Sequence, residues 1–77
     1  MKTNYDKVLD VFFNNPAERF YVREIARLTK LNPNTILNIT EQLVKEDLIK
    51  REKKKHIVEF FANTGKKFRK LKRIYNF

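Results

Sequence analysis

At 77 residues, with 42% hydrophobic content and no cysteine, the chain has material for one modest core and neither a disulfide nor a thiolate metal site to staple it. The single histidine, His56, excludes multi-histidine metal centres, and no apolar run approaches the roughly 18 residues that span a bilayer. Eighteen Lys and Arg against nine Asp and Glu give a formal charge of +9, and the imbalance sits at one end. Through residue 49, seven basic residues face seven acidic ones, whereas residues 50–77 hold eleven basic residues and only Glu52 and Glu59. A field of one sign over one end of a small protein attracts a polyanion, either nucleic acid or an anionic membrane surface; its bland counterpart is a lysine-rich surface that serves solubility alone. The stretch from Met1 to Asp6 lacks the apolar run of a secretory signal, so the expected location is cytoplasmic.

Tyr5, Val8, Leu9, Phe12 and Phe13 recur at helical spacing and predict a first helix over residues 4–14. Thr3 with Asp6 forms a capping-box pattern at its start, and Asn14-Asn15-Pro16 ends it, because a residue before proline is pushed out of the α region. Phe20-Tyr21-Val22 is long enough for a single strand bridge only. The pattern then turns helical over 22–29, with Val22, Ile25 and Ala26 inward and Arg23, Glu24 and Arg27 outward. Asn32 as N-cap and Pro33 at the first helical position start a third helix over 33–46, with Ile36, Ile39, Thr40 and Leu43 inward.

After Asp47 the period becomes alternating, which predicts a hairpin over 49–61. Leu48 plugs the core, Lys53-Lys54-Lys55 forms the tip, and His56 begins the return strand as a surface residue. That tip lacks the Asn-Gly type of dipeptide that marks a tight turn. Thr64 is the expected N-cap of a last helix over 65–76, with Phe68, Leu71 and Tyr75 on one face and Lys66, Lys67, Arg69, Lys70, Lys72 and Arg73 around the rest.

This order of elements, together with the run from Phe20-Tyr21-Val22-Arg23-Glu24-Ile25-Ala26 through Arg27-Leu28-Thr29-Lys30-Leu31-Asn32-Pro33-Asn34-Thr35-Ile36 and on to Asp47-Leu48-Ile49, resembles the winged helix-turn-helix domain of MarR-like and ArsR-like transcriptional regulators. The tail from Phe68 to Phe77 is similar to the segment that follows such domains in archaeal winged-helix proteins, some of them fused to nucleotidyltransferase domains. The resemblance implies an α+β, mostly helical fold: a three-helix core, a two-stranded β wing and a C-terminal helix, with residues 1–77 as a single domain. Two positions depart from the family pattern. Lys30 and Asp47 stand where glycine is frequent, and in a left-handed conformation the lysine would be strained by about 1 kcal/mol.

The resemblance also implies double-stranded DNA as partner, with the third helix in the major groove and the wing on the phosphate backbone. Asn34, Thr35, Leu37, Asn38 and Glu41 are the base-reading candidates, since Asn can read adenine, Leu or a Thr methyl can touch a thymine methyl, and Glu can accept from cytosine. No Arg or Lys stands among them, which leaves two readings: A·T-leaning recognition, or a helix that lies near DNA without reading it. Arg23, Arg27, Lys30, Lys50, Arg51, Lys53, Lys54 and Lys55 are the phosphate-binding candidates. The apolar residues Phe68, Leu71, Ile74, Tyr75 and Phe77 either pack on the first helix or form a homodimer interface, the latter suiting a protein that reads two half-sites.

Catalysis is not expected: the chain has no Cys, no Ser, one His and one Gly, and no clustered carboxylates, so no cofactor, metal or small-molecule ligand is expected either. The alternative to a DNA-binding regulator is a protein-interaction module built on the same fold. RNA binding would need an exposed aromatic such as Phe60 or Phe61 on the sheet, and membrane association would need the apolar face of the last helix.

Overall fold

The structure, a computed structural model, describes residues 2–75. Four helices and three short strands follow one another as α1 (Asn4–Asn14), β1 (Arg19–Phe20), α2 (Val22–Thr29), α3 (Pro33–Lys45), β2 (Ile49–Lys54), β3 (Ile57–Ala62) and α4 (Lys66–Tyr75). Asn76, at the end of the expected last helix, and Phe77 lie outside the described residues.

α1 and α3 begin where a side chain satisfies a free amide of the first turn. At α1 the Thr3 hydroxyl accepts from the Asp6 N–H and the Asp6 carboxylate accepts from the Thr3 N–H, both at 3.1 Å. At α3 the Asn32 side-chain oxygen accepts from the Asn34 N–H at 2.8 Å, and Pro33 fills the first position. The start of α2 was not legible in the same way. Tyr21 stays extended, at φ −87° and ψ 157°, because the Glu24 carboxylate folds back to accept its N–H at 2.9 Å. The strand bridge therefore falls one residue earlier than the run Phe20-Tyr21-Val22 suggests, on Arg19 and Phe20.

β3 is the central strand of an antiparallel sheet of order β1-β3-β2, pairing Phe20 with Phe60 on one side and Arg51 with Phe60 on the other. Lys54 pairs with Ile57, so the hairpin closes through two residues, Lys55 and His56. The tip is thus shifted from the expected Lys53-Lys54-Lys55. His56 belongs to the turn and not to the return strand, and Lys55 takes the positive φ, 54°, that a two-residue hairpin requires. Lys30 and Asp47 adopt left-handed conformations at φ 61° and 66°, as their place in the pattern implied.

The core joins Val8, Leu9, Phe12 and Phe13 of α1 to Ile25, Ile36, Leu43, Leu48, Ile49, Phe20, Phe60 and Phe68. Phe12 meets Phe20 edge-on at 5.7 Å, which ties α1 to the sheet, and Phe13 meets Phe68 at 5.0 Å, which ties α1 to α4. Thr40 is a hydroxyl inside this core, satisfied by the Ile36 carbonyl at 2.8 Å, and no buried side-chain polar atom among the described residues lacks a partner. Thr64 does not cap α4. The Arg69 N–H donates to the Gly65 carbonyl, which places Gly65 at the start, while Asn63 is tied to Asp47 and Leu48.

Candidate nucleic-acid interface

Side chains on a helix that lie three and four residues apart share a face, so Asn34, Leu37, Asn38 and Glu41 form one stripe along α3, opposite the buried Ile36, Thr40 and Leu43. All four are exposed, Leu37 at 48%, and Thr35 is half-buried at the margin of the stripe. Glu41 has Lys45 one turn on at 3.7 Å, a solvent-exposed pair that leaves its carboxylate accessible. The stripe itself carries amide, aliphatic and carboxylate groups and no cation.

Cations flank it. Arg23 and Arg27 lie one turn apart on α2, Lys30 ends that helix, and all three are exposed with no ion-pair partner among the described residues. On the other flank is the wing, the β2–β3 hairpin, and here the strand period divides what the sequence presented as one lysine-rich run. Successive side chains of a strand point to opposite faces. Arg51 and Lys53 therefore share the face of buried Ile49 and Phe60, toward the helices, while Lys50, Glu52 and Lys54 share the opposite face with Glu59 and Phe61.

On that opposite face the register sets Glu52 directly across from Glu59, a repulsive pair in isolation. Arg19 from β1 answers both, at 2.7 Å from Glu52 and 3.4 Å from Glu59, and Lys54 lies 3.6 and 3.5 Å from the same two carboxylates. The Arg19 hydrogen bond, ahead of its charge, holds the Glu52 carboxyl below its ordinary range. The Arg19 guanidinium also lies 4.2 Å over the Phe61 ring. Lys54 is thus engaged within the sheet, whereas Lys50, Arg51, Lys53 and Lys55 have no ion-pair partner among the described residues. The cluster was not legible in the sequence as a unit. Its signal was the placement of Glu52 and Glu59 at mirrored distances from the turn, which becomes readable only once the turn is known to be Lys55-His56.

Between the two flanks runs a shallow groove lined by Tyr21, Val22, Arg23, Leu37, His56, Ile57 and Val58. Three large apolar side chains exposed to solvent border it: Tyr21, Leu37 and Ile57. Among the described residues no three His, Cys, Asp or Glu side chains converge as metal ligands would, and no helix is long and apolar enough to cross a membrane. Phe60 is buried and Phe61 lies beneath Arg19, so neither ring offers the open stacking surface that RNA binding through the sheet would use.

The expected dimer contacts separate. Phe68 is only 2% exposed, buried against Phe13, and so is a core residue unavailable to a second copy. Leu71 is half-buried against the same core, and the Tyr75 ring meets Phe13 at 5.5 Å. Ile74 is exposed, and Phe77 lies outside the described residues. Of the two fates open to this stripe, Phe68 and Leu71 take the intramolecular one, because the short core needs α4 to cover Phe13, while Tyr75 touches Phe13 and stays 40% exposed.

No family model matches the chain, and no curated protein matches it in sequence. Among solved structures it is similar to a protein titled "possible transcriptional regulator" from Methanosarcina mazei Go1, with a TM-score of 0.80 over 96% of this chain at 13% sequence identity. The chain spans 66% of that protein's length. With its three-helix core, β wing and added C-terminal helix, the structure is of the winged helix-turn-helix class, α+β and mostly helical.

Proposed function

We propose that the chain is a non-enzymatic, cytoplasmic protein that binds double-stranded DNA and acts in transcriptional regulation. The observation behind the reading is the electrostatic frame around α3: a stripe of base-compatible groups on a helix packed against both α2, with exposed Arg23, Arg27 and Lys30, and the wing, with exposed Arg51, Lys53 and Lys55, none of the six held by an intramolecular carboxylate among the described residues. Phosphate contacts from such flanks fix register and supply most of the affinity, while the stripe reads the groove. Lys50 adds to the wing from its far face, and Lys54 contributes less because Glu52 and Glu59 hold it. The resemblance of residues 20–36 to MarR-like and ArsR-like regulators, and the likeness of the fold to that of a possible transcriptional regulator, support the regulatory role.

Within the stripe, Asn34 and Asn38 suit adenine and Leu37 and Thr35 suit the thymine methyl, so the preferred sites are A·T-rich. Glu41 is placed to accept from a cytosine amine at the far end. The test is fluorescence anisotropy with A·T-rich and G·C-rich duplexes. The wild type is expected to favour the A·T-rich duplex, and Asn34→Ala with Asn38→Ala to abolish the preference while leaving affinity for mixed sequence close to wild type. Equal affinity for both duplexes in the wild type would reduce α3 to a helix that sits near DNA without reading it.

A second reading, a protein-interaction module, draws on the apolar border of the groove at Tyr21, Leu37 and Ile57. It predicts no duplex binding even at low salt. A homodimer would draw on the exposed Ile74 and Tyr75, since Phe68 is buried within the chain.

A further inference from the structure

The outward face of α4 belongs to none of the surfaces described above. At about 100° of rotation per residue, Lys66, Arg69, Lys70 and Arg73 fall within an arc of about 100° on the helix. The arc lies opposite Phe68, Leu71 and Tyr75, the residues that dock α4 on the core. All four cations are exposed, and none has an ion-pair partner among the described residues. α4 contains no acidic residue at all, so like charges stand three and four residues apart with nothing on the helix to relieve them. Lys67 is set apart from this ridge, its ammonium donating to the Glu46 carbonyl at the end of α3.

The ridge and the α3–wing face share no residue, and α4 is anchored on Phe13 of α1 and on the C-terminal end of α3, away from the groove beside Leu37 and Ile57. From Lys66 to Arg73 the ridge runs about 10 Å along the helix axis. One strand of a duplex carries a charge per about 3.4 Å of its axis, so that length faces about three phosphates of a strand. We propose that this ridge binds the phosphates of a second DNA duplex, so that the chain bridges two segments, one on the α3–wing face and one on α4. The inference rests on the DNA reading of the first face.

Charge and packing select this occupant over others. Two copies of a purely cationic ridge repel each other. A membrane surface would require a broad free apolar face on α4, and Phe68 and Leu71 are packed on the core, which leaves only Ile74 and part of Tyr75 of that face exposed among the described residues. A single strand would require open aromatic rings beside the cations for base stacking, and none stands on the ridge: Phe68 is buried, and Tyr75, on the opposite side of the helix, packs edge-on against Phe13.

The test is capture of a fluorescent duplex by a second, immobilised duplex in the presence of the full chain, with single-duplex affinity read separately by anisotropy. The variant is Lys66→Gln, Arg69→Gln, Lys70→Gln and Arg73→Gln together, all surface changes whose folding is checked by circular dichroism. At about 0.15 M salt, where charges beyond about 8 Å are screened, the variant should keep single-duplex affinity within about threefold and lose at least about tenfold in capture. Several results would overturn the proposal: a wild type that binds one duplex and captures no second, capture undiminished in the variant, as two recognition faces of a dimer would give, or a ridge-dependent flotation with anionic vesicles in place of duplex capture. Absence of binding to any duplex would overturn the reading of the α3–wing face as well, and is distinguished from the others by the anisotropy arm.

Discussion

Lys30 holds its left-handed conformation, φ 61° and ψ 26°, because the chain must leave α2 and enter α3 within a few residues. Its N–H donates to the Ala26 carbonyl at 2.7 Å, and that bond closes the helix whichever residue stands there. Lysine is strained here by about 1 kcal/mol, part of which the greater unfolded-state freedom of glycine offsets. Lys30→Gly is therefore expected to raise the melting temperature by about 2–5 °C, at about 4–8 °C per kcal/mol for a chain of this size. A lower melting temperature in a thermal scan would show that the lysine side chain stabilises the turn by a contact that outweighs its strain. Titrating residues act at the same scale. Hydrogen bonds from the Thr3 N–H, first, and the Thr3 hydroxyl hold the Asp6 carboxyl below its ordinary range, and Arg19 does the same for Glu52. A depressed folded-state pKa means that the unfolded chain binds the proton more tightly, so this stability is present above about pH 4 and is lost as pH falls through the folded values. Tyr5 and Tyr75 move the other way. Burial, then hydrogen bonds to Glu46 and Asp6 respectively, raises both phenols, so their contribution is complete below about pH 10 and is lost above it. Melting curves across pH should show both limbs, and Tyr5→Phe should flatten the alkaline one.

At the scale of the element, capping chemistry and apolar period carried most of the secondary structure. Thr3 with Asp6 and Asn32 with Pro33 are local signals whose partners lie within three residues, and both caps form as the sequence implies. The β1 bridge, the hairpin tip and the start of α4 were displaced, because each depends on a partner that the local pattern does not contain: Glu24 reaching back to Tyr21, the register of β2 on β3, and Asn63 tied to Asp47. The same limit applies to the candidate site. Which residues are basic is read directly, but which of them are free follows from strand parity, and parity followed from a turn placed at the lysine run. The wing offers a direct check. Lys54, held by Glu52 and Glu59, should contribute little to duplex affinity, whereas Arg51 and Lys53 should each contribute one phosphate contact. In single substitutions to Ala, the log–log salt slope of binding should fall by about 0.9 for Arg51 and for Lys53 and by much less for Lys54. A slope equally reduced at all three would mean that the ion cluster opens when DNA arrives.

For the whole molecule, the charge of +9 resolves into distinct surfaces around one small core. The α3 stripe with its flanking cations forms one, the α4 ridge forms another, and the Arg19–Glu52–Lys54–Glu59 cluster neutralises itself on the back of the sheet. The division follows from packing: α4 spends its apolar face on Phe13, which turns its cations outward, and the sheet spends one face on the core, which sorts the wing residues by parity. On the proposed function, the α3–wing face binds duplex DNA through phosphates. The measurement that tests it most directly is a fluorescence-anisotropy titration with a mixed-sequence duplex over a salt series, comparing the wild type with Arg51→Ala, Lys53→Ala and Lys55→Ala combined. Tight binding at low salt is expected, with a log–log slope shallower in the variant by about 2.7, at about 0.9 per lost contact. A wild type that binds no duplex at low salt, or a variant with the slope of the wild type, would contradict it.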